Sequence, residues 1–418
     1  MLRLSDFGRR LTRRTGAFEL MDDLGRAMAG EDSVLMLGGG NPGRIDAVED
    51  AFKRRLVELA GDQEAYTAAF GAYAHPAGSR RFRASLAAML RAELGWEVTD
   101  EHIALTGGSQ AAFFMLFNMF AGDSNGEPRR ILLPLTPEYV GFSDLGLTDD
   151  FFVAEHPTIE HLDDGFFKYR VDFSQLLIDE TVGAVCVSRP TNPTGNVLTD
   201  SEVEKLDRMC RERDIPLILD NAYGLPFPNI LFSPAEPIWN ENVIYCMSLS
   251  KLGLPGVRTG IVVARPEVIE SIARMTAIMS LTVGSVGPTL VQPLLDSGEI
   301  LRLSEEHIRP FYLDKSRRCV DWLHDALRGV PYKIHKPEGA LFIWLWLPDL
   351  PISSQMLYER LKARGVIVLS GHYFFPGLED GWRHCHECLR ISFAMDEATV
   401  RAGVAIIGHE VREVFSKA

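Results

Sequence analysis

Ser248-Leu249-Ser250-Lys251, followed by Gly256-Val257-Arg258, is the stretch whose reading decides the fold. Just before it, Val243-Ile244-Tyr245-Cys246-Met247 is a short apolar run of the kind a buried parallel strand requires. Lys251 therefore falls in the loop beyond a strand's carboxyl end, and in open α/β sheets ligands collect in the crevice outside those ends. A lysine there can bond an aldehyde, provided that desolvation or nearby cations keep part of its amine neutral. The two serine hydroxyls and the planar donor fork of Arg258 suit phosphate oxygens. Taken alone, Ser-x-Ser-Lys reads more simply as a solvated lysine in a serine-rich turn, so the rest of the chain has to decide.

Working outward, strand-like and helical segments alternate from about residue 45 to about residue 290. That pattern predicts a mostly parallel sheet with helices on both faces. The expected strands are 103–106, 131–133, 184–188, 217–220, 243–247 and 260–264, with amphipathic helices at 46–60, 110–120 and 201–213 between them. Past about residue 300 the character changes. A long helical pattern over 301–328 leads into the alternating run Ala340-Phe342-Trp344-Trp346, and further strands are expected at 365–369 and 389–393. This predicts an α/β protein with a large domain over 46–300, a smaller α+β domain over 301–418, and an arm over 1–45 that joins the small domain or a partner subunit.

The bulk composition fits that size. The chain has 418 residues, 46% hydrophobic and 24% charged, with a formal net charge of -14. Two domains sharing a cleft is the natural expectation at this length. The acidic balance argues against nucleic-acid or anionic-membrane partners, which call for a basic face. No apolar stretch approaches the roughly 20 residues needed to cross a bilayer. The six cysteines are scattered, with Cys186 and Cys246 inside apolar runs, which suits a reducing, cytoplasmic setting. Arg3, Arg9, Arg10, Arg13 and Arg14 crowd the amino terminus, but Asp6 and Glu19 interrupt them and no h-region follows, so this reads as an arm rather than a presequence.

Three more strand ends carry polar groups. Arg189-Pro190-Thr191-Asn192-Pro193-Thr194-Gly195-Asn196 follows the strand ending at Ser188, and its prolines and glycine set a turn that holds Asn192 at the sheet edge. Pro216-Leu217-Ile218-Leu219 ends in Asp220-Asn221-Ala222-Tyr223, and an aspartate closing an apolar strand is costly unless it is paired. Thr106-Gly107-Gly108-Ser109-Gln110 opens an apolar helix, whose amino terminus presents free N–H groups to an anion. Each of these has an ordinary structural reading. Four independent strand ends bearing Ser109, Asn192, Asp220 and Lys251 in chemical order do not.

From the Gly38–Pro42 turn through Asn192, Asp220, Tyr223, Lys251 and Arg258 to Arg390, the chain resembles the class I/II aminotransferases of pyridoxal phosphate (PLP) fold type I, over nearly its whole length. The resemblance implies that Lys251 bonds the cofactor aldehyde and then carries a proton. Asp220 would pair with the ring nitrogen and Asn192 and Tyr223 with the phenolate oxygen. Tyr139 would stack on the ring, and Gly108, Ser109, Gln110, Ser248 and Arg258 would hold the phosphate. It further implies a homodimer in which Tyr73 reaches the neighbouring subunit's phosphate, and a substrate pocket of Gly40, Asn192 and Arg390, the last gripping the carboxylate. Within the family, the runs 186–196, 220–224, 246–256 and 335–340 are similar to members that exchange an amino group between L-valine and pyruvate by a ping-pong route. Transamination of other aliphatic or aromatic amino acids, and β-lyase chemistry, are the alternatives that share this cofactor.

Two local patterns compete. Gly38-Gly39-Gly40-Asn41-Pro42-Gly43 fits the spacing of a dinucleotide-binding turn, but Pro42 interrupts the helix start and neither Asp62 nor Glu64 closes a second strand. His384-Cys385-His386-Glu387-Cys388 has metal-ligand spacing without an evident second ligand pair, and reads as a loop positioning Arg390, with no metal expected. A PLP-sensing regulator is disfavoured because only about 45 residues precede the first large-domain helix, against the amino-terminal DNA-binding module such proteins carry, and because the chain is acidic.

Overall fold

The structure, a computed structural model, describes residues 3–13, 25, 34–378 and 381–417; Arg14 and Glu19 lie outside the described residues. In chain order its strands are β1 (Leu35–Met36), β2 (Ile103–Thr106), β3 (Gly122–Ser124), β4 (Glu127–Leu133), β5 (Phe152–Ala154), β6 (Thr158–His161), β7 (Phe166–Arg170) and β8 (Val182–Ser188). Then follow β9 (Leu217–Asp220), β10 (Val243–Ser248), β11 (Gly260–Val263), β12 (Lys333–His335), β13 (Phe342–Trp346), β14 (Val366–Ile367), β15 (Leu369–Ser370) and β16 (Cys388–Ser392).

The large sheet has eight strands, ordered β2-β11-β10-β9-β8-β4-β3 with β5 beside β4. Every residue of β2, β8, β9, β10 and β11 is buried, which is why these segments read as unbroken apolar runs. Alternate residues still serve opposite faces. Ile218 and Ile244 pack with the helices Ser109–Phe120 and Pro266–Ser280, while Leu217, Leu219, Val243 and Tyr245 join the core on the other side. β4, β5, β8, β9 and β10 run parallel; β11 is antiparallel to both of its neighbours, and this returns β2 to the common direction. The carboxyl ends of β2, β4, β8, β9 and β10 thus share one edge.

The second sheet has six strands, ordered β15-β16-β13-β12-β7-β6. Its strands do not all come from beyond residue 300: β6 and β7 form a hairpin from the middle of the chain and pair with β12, Ile334 opposite Phe166. Burial of Phe167 and Tyr169 holds that hairpin in place. The expected strand over 365–369 splits at Val368, so that β14 pairs with β1 and β15 with β16. The expected helix over 301–328 is also interrupted, running as α over Glu299–Leu303, π over Ser304–Ile308 and α over Arg309–Ala326. Pro310 supplies the reason, since its ring lacks the N–H and excludes the carbonyl one turn back.

Candidate active site

At the shared carboxyl edge lies a cavity of about 380 Å³ lined by Gly38, Gly40, Ser109, Gln110, Tyr139, Asn192, Asp220, Tyr223, Ser248, Lys251, Arg258 and Arg390. Every site residue expected from the sequence lines it except Gly108 and Tyr73. Gly108 stands at its rim with φ +91°, where a β-carbon would fall 2.2 Å from Arg258 Nη2. Tyr73 is 86% exposed and does not line this cavity.

Lys251 donates from Nζ to the Gly40 carbonyl at 2.6 Å. Its amine is drawn down to about 8, chiefly by burial and then by repulsion from Arg390 and Arg258, with Asp220 opposing them. Asp220 closes β9 as a buried carboxyl and accepts from the Ala222 amide at 3.0 Å. Burial raises it to about 7 against the pull of that hydrogen bond and of Lys251. A carboxyl so placed gains most from a cation brought against it. The phenols of Tyr223 and Tyr139 are likewise pushed up by burial.

Arg390, 4% exposed, comes from β16 of the second sheet. Nη1 donates to Asn192 Oδ1 at 2.7 Å and Nη2 to the Gly38 carbonyl at 2.6 Å, while the guanidinium lies 4.0 Å from the Phe342 ring centroid and 5.3 Å from that of Phe374. Burial lowers it to about 10, so it keeps its charge at neutral pH. At the opposite end the helix Ser109–Phe120 begins at Gly108 with no side-chain cap, leaving its first N–H groups free. Arg258 sits there at φ +46°, its Nη1 3.2 Å from the Pro255 carbonyl. The Ser248 hydroxyl is engaged within the turn, accepting from the Ser250 amide at 3.0 Å and donating to the Thr259 carbonyl at 3.4 Å.

The Gly38–Gly43 run offers carbonyls to Lys251 and Arg390 and follows a two-residue strand outside the large sheet, which does not suit a dinucleotide turn. Arg13 faces Asp149 at 3.7 Å and does not line the cavity. In the cluster ahead of β16, His384 is buried with Nε2 2.5 Å from Tyr169 Oη and 3.7 Å from Cys388 Sγ.

Sequence reasoning did not single out Glu138, which is fully buried beside Tyr139. Its Oε1 accepts from the Ser188 amide at 2.8 Å and its Oε2 from the Ser188 hydroxyl at 2.5 Å, and burial pushes it up to about 8. Nor did it find Met36, Val140 and Met395 on the cavity wall or the aromatic pair around Arg390. A carboxylate set between Pro137 and Tyr139 was the available signal for the first; the others look like ordinary core residues.

A two-lobed α/β fold with a buried lysine, aspartate and arginine around one cleft defines a class, and residues 36–407 match the model of the family Aminotransferase class I and II, so the chain belongs to that family. It is 46% identical over 412 residues to the valine–pyruvate aminotransferase of Escherichia coli (strain K12), covering 98% of each chain. Among solved structures it is similar to valine–pyruvate aminotransferase from Salmonella typhimurium LT2, at 46% identity and TM-score 0.89 over 96% of this chain and 100% of that one. A putative amino-acid aminotransferase from Psychrobacter arcticum 273-4 superposes with TM-score 0.97 and 45% identity over the full length of both. The substrates of such enzymes are amino acids and 2-oxo acids, and the family is PLP-dependent in general.

Proposed function

We propose that this chain is a PLP-dependent transaminase that exchanges an amino group between L-valine and pyruvate, giving 2-oxoisovalerate and L-alanine by a ping-pong route. The observation that carries the reading is the joint placement of Lys251, Asp220 and Arg390 around one cavity, in a chain 46% identical to a valine–pyruvate aminotransferase over 98% of its length.

The residues fit the cofactor. Asp220 is a buried carboxyl suited to a protonated ring nitrogen, and Gly108 leaves room beside Arg258 and an uncapped helix end for a phosphate. Bound there, PLP supplies an electron sink for the carbon bearing the amine. Asp220 keeps the ring nitrogen protonated, Asn192 and Tyr223 donate to the phenolate oxygen, and Tyr139 covers the ring. Ser109, Gln110, Ser248 and Arg258 hold the phosphate. Lys251 Nζ, neutral in part because it is buried, would serve as the base that accepts the proton of the substrate's α-carbon and later returns it.

Arg390 and Gly40 hold the substrate carboxylate end. Among the described residues the only arginines lining the cavity are Arg258, at the phosphate end, and Arg390. With no further arginine among the described lining residues for a side-chain carboxylate, and with Met36, Val140 and Met395 on the wall, the pocket suits small apolar side chains. A methylene there is worth only about 1–3 kcal/mol, so isopropyl and methyl substrates share the site easily.

The functional unit in this reading is a cytoplasmic homodimer, with Tyr73 reaching the partner's phosphate and lobes over 46–300 and 301–418, β6 and β7 joining the second. Its support is the exposure of Tyr73 and the burial of all six cysteines. The test is an absorbance titration of the purified protein. Bleaching of the yellow band by L-valine and its recovery with pyruvate are expected. A yellow protein indifferent to valine would refute the substrate pair, and a colourless one that PLP cannot reconstitute would refute the cofactor.

A further inference from the structure

Asn192 accepts from Arg390, and the turn that carries Asn192 is tied from its far side by a buried ion pair. Lys168 on β7 and Glu338, between β12 and β13, are 3% and 5% exposed and hydrogen-bonded to each other. Lys168 Nζ also donates to the Val197 carbonyl at 2.9 Å, and the Val197 amide donates to Glu338 Oε2 at 3.1 Å. The Glu338 amide donates to the Gly195 carbonyl at 3.3 Å. The turn and the segment meet so closely that a β-carbon on Gly195, which has φ +71°, would fall 2.6 Å from the Gly339 carbonyl.

Lys168 and Arg390 stand on strands of the second sheet and Glu338 on the segment that joins two of its strands, whereas the turn follows β8 of the first. The pair therefore grips both the N–H and the C=O of Val197 and fixes, across the gap between the sheets, where Asn192 stands relative to Arg390. Burying two charges is a poor way to gain stability, because their desolvation offsets their attraction. Here the geometry they impose has a use: Asn192 and Gly38 are what orient the buried guanidinium.

We propose that Lys168 and Glu338 are positioning residues for the substrate carboxylate, acting through the Gly195–Val197 segment on the Asn192–Arg390 contact. This rests on the reading of Arg390 as the carboxylate-binding residue.

The probe is 3-methylbutanoate, which carries the carboxylate and isopropyl group of valine without the amine. Its affinity for the purified protein is measured by calorimetry with and without added PLP, beside KM and kcat for valine and pyruvate. Lys168→Met and Glu338→Gln should each weaken 3-methylbutanoate binding and raise both KM values about tenfold, with a smaller change in kcat. The double variant K168M/E338Q carries no unpaired buried charge, stays folded by its melting temperature, and should show the same loss of affinity. A folded double variant that binds 3-methylbutanoate as the wild type does would overturn the proposal. Arg390→Ala separates the two readings: if it leaves the affinity unchanged, the carboxylate assignment fails, and if it abolishes binding while K168M/E338Q does not weaken it, the positioning role fails.

Discussion

Arg390 Nη1 lies 2.7 Å from Asn192 Oδ1, a hydrogen bond between the last strand of the second sheet and the turn after β8 in the first. The contact leaves the guanidinium in a fixed plane against Phe342 and Phe374, with its Nε buried and without a partner among the described residues. A bidentate acceptor presented to that plane completes it.

Arg390→Lys should therefore raise KM for every amino acid and 2-oxo acid tested, by about 10- to 100-fold, since a point charge cannot reproduce the planar fork. Steady-state kinetics with several donors check this. A loss confined to one substrate would show that Arg390 reads side chains instead.

As the proposed cofactor-bonding amine, Lys251 should govern how fast PLP is captured. Its amine sits at about 8 in the folded protein against 10.5 for the free side chain. The rate at which the yellow band appears on adding PLP to cofactor-free protein should rise about tenfold per pH unit below that value and level off above it. Lys251→Ala should give no such band at any pH while keeping the melting transition.

Asp220 makes stability depend on pH in the opposite sense from a salt-bridged aspartate. Folded, it ionises near 7, against 3.8 for the free side chain. Between those limits the folded state holds more protons, so cofactor-free stability falls as pH rises, and the full cost is reached above about 7. Asp220→Asn should raise the melting temperature of cofactor-free protein by several degrees above that pH and leave it unchanged below the free side chain's value. The same variant should lose orders of magnitude in turnover, because the ring nitrogen loses the carboxylate that keeps it protonated. Near-normal turnover would remove Asp220 from that role.

Gly108 tests the phosphate end. At φ +91° a β-carbon is strained in its own right, and it would collide with Arg258 Nη2 at 2.2 Å. Gly108→Ala should weaken PLP binding at least about tenfold through the displaced Arg258 fork. Equilibrium titration of cofactor-free protein measures it, with KM for valine in saturating PLP staying near the wild-type value.

Much of the site was legible from single strands. Val243–Ser248 and Leu217–Asp220 are apolar runs that end in polar groups, and a strand buried on both faces has few other reasons to stop on Lys-bearing or Asp-bearing turns. The second sheet was harder to read. Its hairpin β6–β7 lies about 165 residues from β12 in sequence, and nothing local in Thr158–Arg170 says that its partner is Lys333–His335. The antiparallel insertion of β11 and the break at Val368 are equally matters of which partner is available.

By itself the sequence determined the identity and order of the groups at the carboxyl edge, because strand, turn and helix end are each set by residues within a few positions of one another. Tertiary structure alone decided their environment. Glu138 is buried because Ser188 closes over it, and Lys168 and Glu338 are 170 positions apart until the two sheets meet. Burial, and with it the ionisation of Lys251 and Asp220, depends on everything packed around a group, and that is a property of the whole fold rather than of any stretch of chain.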